Sequence, residues 1–241
     1  MAIKEVAVSY RLLPKRELKT DTASARGDDY MKVLDLFSGL GGFSQVFVKR
    51  GHKVVTVDIE PKFNPDILVD IMNMNPSWFS VMEFDIILAS PPCNCFSVAS
   101  IYRHWDKERK MPTDTKTNDR IRLVTKTIEL IHEWKPRWWV IENPRGMLRK
   151  IIGMPHYEIT QCQYGRPYMK PTDLWGRLPK SFKAKRCKAG SDCHERATRS
   201  SKDGVQGIIS SLDRGMTKAE RAKIPYGLSE AICLACEKEM I

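Results

Sequence analysis

Residues 32–43 read KVLDLFSGLGGF. The first half, 33–37, is a short apolar run, 38–42 is rich in glycine, and 43–50 has the pattern of a helix. A strand, a glycine turn and a helix in that order open an α/β fold. Glycines at such a turn accept positive φ and let a ligand approach the backbone at the carboxyl edge of the strands, where open α/β sheets bind ligands. A dinucleotide fingerprint would need Gly-x-Gly-x-x-Gly, and Ser44 stands where its third glycine would be.

Outward from this stretch, strands are expected at 54–59, 67–71, 84–89 and 138–141. Each is short and β-branched or aromatic, as a sheet covered on both faces requires. Residues 118–134 read as a helix, because Ile121, Val124, Ile128 and Ile131 recur at steps of three and four and Pro136 stops it. A last helix is expected at 228–238. Strands alternating with helices imply a mainly parallel α/β sheet. Asp58 ends the second strand, 19 residues after Gly39, where an acid suits the two hydroxyls of a ribose. Asp70 ends the third and suits an adenine amine; the bland alternative is a tight turn with solvated acids. Trp134, Trp138 and Trp139 surround a buried strand and are read as core.

The 241 residues are 42% hydrophobic and 29% charged, a globular composition. The length fits one domain with a small lobe. No apolar run approaches the roughly 18 residues of a membrane span. The first residues lack the long apolar stretch of a secretory signal, and seven scattered cysteines favour a reducing, cytoplasmic setting over a disulfide framework. The formal net charge is +11, and 161–223 holds 15 Lys or Arg against six Asp or Glu. A basic segment of that kind suits phosphate neutralisation; a solvated surface is the alternative. Four parts are expected: an extension, 1–30; a main domain, 31–171; a basic segment, 172–222; and a C-terminal helix, 223–241, packing back on the main domain.

Two further stretches carry chemistry. Ser90-Pro91-Pro92-Cys93-Asn94-Cys95-Phe96-Ser97 follows the fourth strand, and the prolines hold Cys93 on a rigid edge loop. A cysteine there can act as a nucleophile if nearby positive charge favours its thiolate, although most lone cysteines are small buried hydrophobes. Glu142 and Asn143 end the fifth strand, on the same edge of the sheet. A thiolate beside a carboxyl kept protonated by burial forms a nucleophile and acid pair.

The set 35–42, Pro92-Cys93-x-x-Phe96-Ser97 and Glu142-Asn143, in this order, resembles the cytosine-carbon-5 DNA methyltransferases. Lys135-Pro136 before the fifth strand and Tyr164-Gly165-x-Pro167 fit the same family. The resemblance covers about 31–170 and returns at the C-terminal helix. It implies a Rossmann-like methyltransferase sheet binding S-adenosylmethionine, with a small basic recognition lobe. By the same resemblance, Phe37, Ser38, Gly39, Leu40, Gly41, Gly42, Asp58, Ile59, Asp70 and Ile71 would bind the cofactor. Cys93 would add to carbon 6 of a cytosine flipped out of duplex DNA, and Glu142 would bind its ring nitrogen 3 and amine, with Pro92, Asn143 and Lys170 in the catalytic site. The charged stretch 101–118 resembles a mobile closing loop. Arg103 and Lys107 within it, with Arg196, Arg199 and Lys202, are the nucleic-acid candidates.

The chain departs from the family pattern in places. Lys170 and Thr172 stand where arginines would be, no C-terminal Gly-Asn element is evident, and only about fifty residues remain for sequence recognition. A partner subunit could complete recognition; otherwise a monomer is expected. Cys187, Cys193 and His194, with Cys162 or with Cys233 and Cys236, have soft-ligand chemistry, but their irregular spacing is read as unmetallated cysteines and no metal is assigned. Cys93 with Glu142 argues against an amine methyltransferase, since amine methylation needs no thiolate. Methylation of RNA, and a non-catalytic DNA-binding subunit of the same fold, are the remaining alternatives. The expected setting is restriction–modification or a viral genome, acting in the cytoplasm or at the nucleoid.

Overall fold

A computed structural model describes residues 30–106, 108, 111–188, 190–194 and 216–240. Its strands are β1 (Lys32–Leu36), β2 (Lys53–Asp58), β3 (Ile67–Leu68), β4 (Ile86–Ala89), β5 (Trp138–Pro144), β6 (Tyr157–Thr160) and β7 (Pro171–Arg177). The helices are α1 (Gln45–Lys49), α2 (Ile101–His104), α3 (Thr115–Trp134), α4 (Leu148–Ile151), α5 (Lys218–Ala222) and α6 (Tyr226–Glu237). The strands form one seven-stranded sheet in the order β3-β2-β1-β4-β5-β7-β6. β1 to β5 are parallel, and β7 runs antiparallel to both β5 and β6. This is the mainly parallel, Rossmann-like α/β sheet expected from the sequence, extended by β6 and β7.

The chain leaves β1 for β2 and β3 on one side and returns to β4 on the other. That reversal opens a crevice at the carboxyl ends of β1 and β4, the position where doubly wound sheets bind ligands. Alternate residues of the strands feed two cores, which explains why the strands read as continuous apolar runs. Val33, Ile86, Leu88 and Val140 pack with Phe43, Phe47, Leu228 and Ile232 on the face of α1 and α6. Leu34, Leu36, Ile87 and Ile141 pack with Val124, Leu130, Ile131 and Trp134 on the face of α3.

Helix α3 starts three residues earlier than its apolar period suggests. The Asp114 side chain accepts from the backbone N–H of Thr117 at 2.7 Å, an N-cap that sets the boundary. Its end follows the sequence: Lys135 turns to φ +50° and Pro136 follows. The described residues of 101–118, the expected closing loop, carry regular structure. They hold α2, a Trp105–Pro112 bridge and the first turn of α3, braced by His104 Nδ1 against Asp114 Oδ2 at 2.5 Å.

β6 and β7 are not among the expected strands, and the expected boundary at 171/172 falls inside β7, a strand of the main sheet. The antiparallel pairing of Ile141 with Trp175 and Glu142 with Leu174 makes this segment part of the main sheet. Helix α6 lies against α1, where Ser229 Oγ donates to Phe43 O at 2.6 Å and accepts from Val46 N at 3.2 Å. No described helix is long and apolar enough to cross a membrane.

Candidate active site

The glycine turn crosses the end of β1 and is held to β2. Ser38 N–H donates to Val57 O at 3.1 Å, and Gly39 N–H donates to Asp58 Oδ2 at 2.8 Å. Asp58 Oδ1 takes the Glu60 N–H at 2.9 Å. The acid assigned to a ribose therefore also shapes the turn. Gly39 and Gly41 have φ of +51° and +67°, and so does a bulky residue, Phe37, at +60°. A large side chain in that region is held there by its surroundings, a form of strain that concentrates at ligand clamps. Leu40 and Ile59 flank the turn with 44% and 58% of their surface exposed.

Gly42 has another reason to lack a side chain: a Cβ there would lie 2.7 Å from Ile224 N and 2.6 Å from Lys223 Cγ. The turn is thus clamped by the segment leading into α6. Asp70 Oδ1 caps a short 3-10 turn through Met72 N–H at 2.9 Å, and Ile71 is buried behind it.

Ser44, which broke the dinucleotide fingerprint, has a role of its own. Its hydroxyl donates to Asp35 Oδ2 at 2.6 Å beneath the turn. Burial pushes the Asp35 carboxyl up to about 7, against the lowering effect of that hydrogen bond.

The second half of the site grows from β4 and β5. Ala89 pairs with Ile141, so the Pro91-Pro92-Cys93 loop leaves β4 beside Glu142 and Asn143. Asn143 Nδ2 donates to Pro91 O at 2.9 Å and fixes the loop. Phe96 and Ser97 N–H groups close onto Cys93 O at 3.0 and 3.1 Å. A bridge between Ser97 and Gly146 then joins this loop to the one after β5, with Met147 N–H donating to Phe96 O at 2.8 Å. A Cβ on Gly146 would lie 1.9 Å from Phe96 O, so only glycine permits the approach.

Glu142 is buried, and its Oε1 lies 3.5 Å from Gln161 Nε2, which also reaches Thr172 Oγ1 at 3.2 Å. Burial pushes the Glu142 carboxyl up to about 7; Lys170 pulls it down and Asp173 pushes it up. Burial also raises the Cys93 thiol, and Glu142 adds to that, while Lys170 favours the thiolate. One ammonium therefore acts on both groups. Asp173 is itself held by Arg149, whose Nε donates to Oδ2 at 2.6 Å. Among the described residues, the buried polar atoms lacking a partner include Ser90 Oγ, Asn143 Oδ1 and Gln161 Oε1, all on segments that frame Cys93 and Glu142. Buried polar groups are nearly always paired, so such a group of orphans marks a place for a polar ligand.

The structure brings Pro92, Cys93, Glu142, Asn143 and Lys170 to one edge and sets the glycine turn on the neighbouring strand. Arg103 is exposed, its Nε donating to Tyr102 Oη at 2.6 Å. Lys107, Arg196, Arg199 and Lys202 lie outside the described residues. Cys95 is fully buried, and Trp134 and Trp138 lie in the core. Gln161, Ser44 and Gly146 were not legible as site residues. Each acts through a contact between segments, and the only signal for Gly146 was a glycine close behind Glu142-Asn143-Pro144.

The structure brings together the first of the two groupings that the sequence offered: Cys187, Cys193 and His194 meet Cys162, and their ligand atoms all lie within 4.8 Å of one another. Cys233 and Cys236 stay apart from them, buried in α6.

Residues 31–161 match the C-5 cytosine-specific DNA methylase family. The chain is 31% identical over 171 residues to the "Probable DNA (cytosine-5)-methyltransferase" of Frog virus 3, covering 68% of this chain and 78% of that protein. It is 30% identical to the type II methyltransferase M.DdeI of Desulfomicrobium norvegicum, covering 49% of this chain but 29% of that one. The solved S. pombe Dnmt2 methyltransferase aligns with 65% of this chain and 52% of its own, at 16% identity and a TM-score of 0.41.

Proposed function

The chain belongs to the C-5 cytosine-specific DNA methylase family, and from that premise we propose that it is a DNA (cytosine-5)-methyltransferase that uses S-adenosylmethionine and a covalent cysteine adduct. The observation that carries this reading is the joining of Cys93 and Glu142 at one sheet edge, under a shared Lys170, beside the glycine turn.

The turn suits the cofactor. A Cβ on Gly41 would meet nothing within 4 Å, Leu40 and Ile59 offer exposed apolar surface on either side, and each Asp58 oxygen keeps a lone pair beyond its one backbone bond. These residues would hold the nucleoside and methionine parts, with Phe37 and Asp70 at the adenine. When bound, S-adenosylmethionine supplies an electrophilic sulfonium methyl group, which an activated cytosine carbon 5 can take.

Activation is the work of the chain's own groups. The Cys93 thiolate adds to carbon 6 of the base and so makes carbon 5 nucleophilic. Lys170 favours the thiolate, whereas burial and a charged Glu142 oppose it. A Glu142 held protonated near neutrality removes that opposition and donates to ring nitrogen 3. It thereby takes up the charge that thiolate addition places on the ring. Loss of the carbon-5 proton to solvent water then expels Cys93 as thiolate, and ring nitrogen 3 returns its proton to Glu142. Asn143 and Gly146 hold the two loops at the required separation. The base must leave the duplex to reach this edge, at a cost of a few kcal/mol.

The test is covalent trapping on duplex DNA containing 5-fluorocytosine, with labelled cofactor. Wild type and Cys95→Ser should give the adduct. Cys93→Ser should give none while still binding cofactor. An adduct with RNA alone would replace the substrate, and no adduct despite cofactor binding would favour a binding subunit. Equal loss in Cys95→Ser and Cys93→Ser would mean that the nucleophile was misassigned.

A further inference from the structure

Away from the crevice, four soft-ligand side chains meet where the chain leaves the sheet. Cys162 sits in the 3-10 turn after β6, and Cys187, Cys193 and His194 come from the stretch after β7. Cys162 Sγ is 3.1 Å from Cys187 Sγ and 3.9 Å from Cys193 Sγ. His194 Nδ1 is 3.7 Å from Cys187 Sγ and 3.4 Å from Cys193 Sγ. A tetrahedral zinc with bonds of about 2.3 Å to sulfur and about 2.0 Å to nitrogen sets S···S edges near ~3.8 Å and S···N edges near ~3.6 Å. The observed edges bracket both values. A disulfide would bring two sulfurs to about 2.05 Å, and all seven cysteines are free.

We propose that Cys162, Cys187, Cys193 and His194 form a closed, structural zinc(II) site. Three thiolates and one imidazole favour zinc over hard cations, and four protein ligands leave no open position for catalysis. The backbone around the cluster is built to hold it. Thr160 N–H donates to Lys185 O at 3.1 Å, Cys187 N–H to Thr160 Oγ1 at 2.8 Å, and Lys185 N–H to the Tyr164 hydroxyl at 2.9 Å. Gly190, with φ +87°, and the Ser191-to-Lys188 hydrogen bond turn the chain so that Cys193 and His194 come back to the other two ligands.

The consequence is local and specific. Cys162 directly follows Gln161, the residue facing Glu142, so the metal ties 185–194 to the turn that carries this contact. Three thiolates with one zinc carry net −1, set among Lys185, Arg186 and Lys188. The His52, Cys233 and Glu237 cluster does not compete as a site: His52 Nε2 pairs with Glu237 at 3.0 Å, and its Nδ1 accepts from Met31 N–H at 3.1 Å.

The test measures metal content of the full chain purified without chelators. One zinc per chain is expected, with at least a tenfold lower content in Cys187→Ser/Cys193→Ser and an unchanged content in Cys233→Ser. Cobalt(II) in place of zinc should give the visible bands and thiolate charge-transfer absorption of a tetrahedral site, which decides the matter even if the double variant does not fold. Zinc-free protein with seven reactive thiols would overturn the proposal. So would a Cys162–Cys187 disulfide, zinc unchanged in the double variant, or cobalt lacking tetrahedral bands.

Discussion

Glu142 carries two consequences of one burial. Its carboxyl titrates near 7 in the fold and near 4.5 when the chain is unfolded. The folded state therefore holds a proton that the unfolded state has released, and stability falls as pH rises through this window. The full effect of such a shift is about 3 kcal/mol. Glu142→Gln cannot ionise, so it should lack this loss. Urea unfolding should show the variant gaining up to about 3 kcal/mol relative to wild type between pH 5 and pH 8. A difference independent of pH would mean that Glu142 is charged in the fold. Methyl transfer should nonetheless fall in the variant by roughly a hundredfold or more, because an amide cannot match the carboxyl's proton donation.

Among the elements, the loops after β4 and β5 act as one unit. The Ser97–Gly146 bridge and the Asn143-to-Pro91 hydrogen bond hold the Cys93 loop against the segment that carries Glu142. Gly146→Ala places a methyl group against Phe96 O, a backbone atom that can yield only by moving the Cys93 loop. We expect kcat to fall by roughly a hundredfold, as misplacement by about an ångström does. Cofactor affinity, carried by β1 and β2, should be preserved. Isothermal titration with the cofactor beside initial-rate assays separates the two; equal losses in both would mean that the fold is generally disturbed. The expected α3 boundary failed for a related reason: the Asp114 cap is a side-chain contact that apolar periodicity does not report.

For the whole molecule, charge is the property that matters. The stretch 161–223 carries 15 Lys or Arg against six Asp or Glu. One of these cations, Lys170, lies beside Cys93 and Glu142 at the crevice, whereas β7 holds Asp173 and Arg177 and adds no net charge. DNA affinity should fall roughly a hundredfold between about 50 and about 200 mM salt, which about four neutralised phosphates suffice to produce. Fluorescence anisotropy over that range measures the slope. A flat response would remove this stretch from the DNA surface.

The sequence by itself determined the parallel half of the sheet, since short runs such as 33–37 and 84–89 have no polar face and need cover on both sides. It also singled out the proposed nucleophile and acid, Cys93 and Glu142, which follow strands that pair as neighbours in the sheet. Tertiary structure decided what depends on contact across the chain. β7 reads as loop until antiparallel pairing with β5 makes it sheet. Gln161 becomes Glu142's neighbour, Ser44 becomes Asp35's donor, and Cys162 meets thiols 25 and 31 positions away. Periodicity records which face of an element is buried; it holds no record of which distant segment lies against that face.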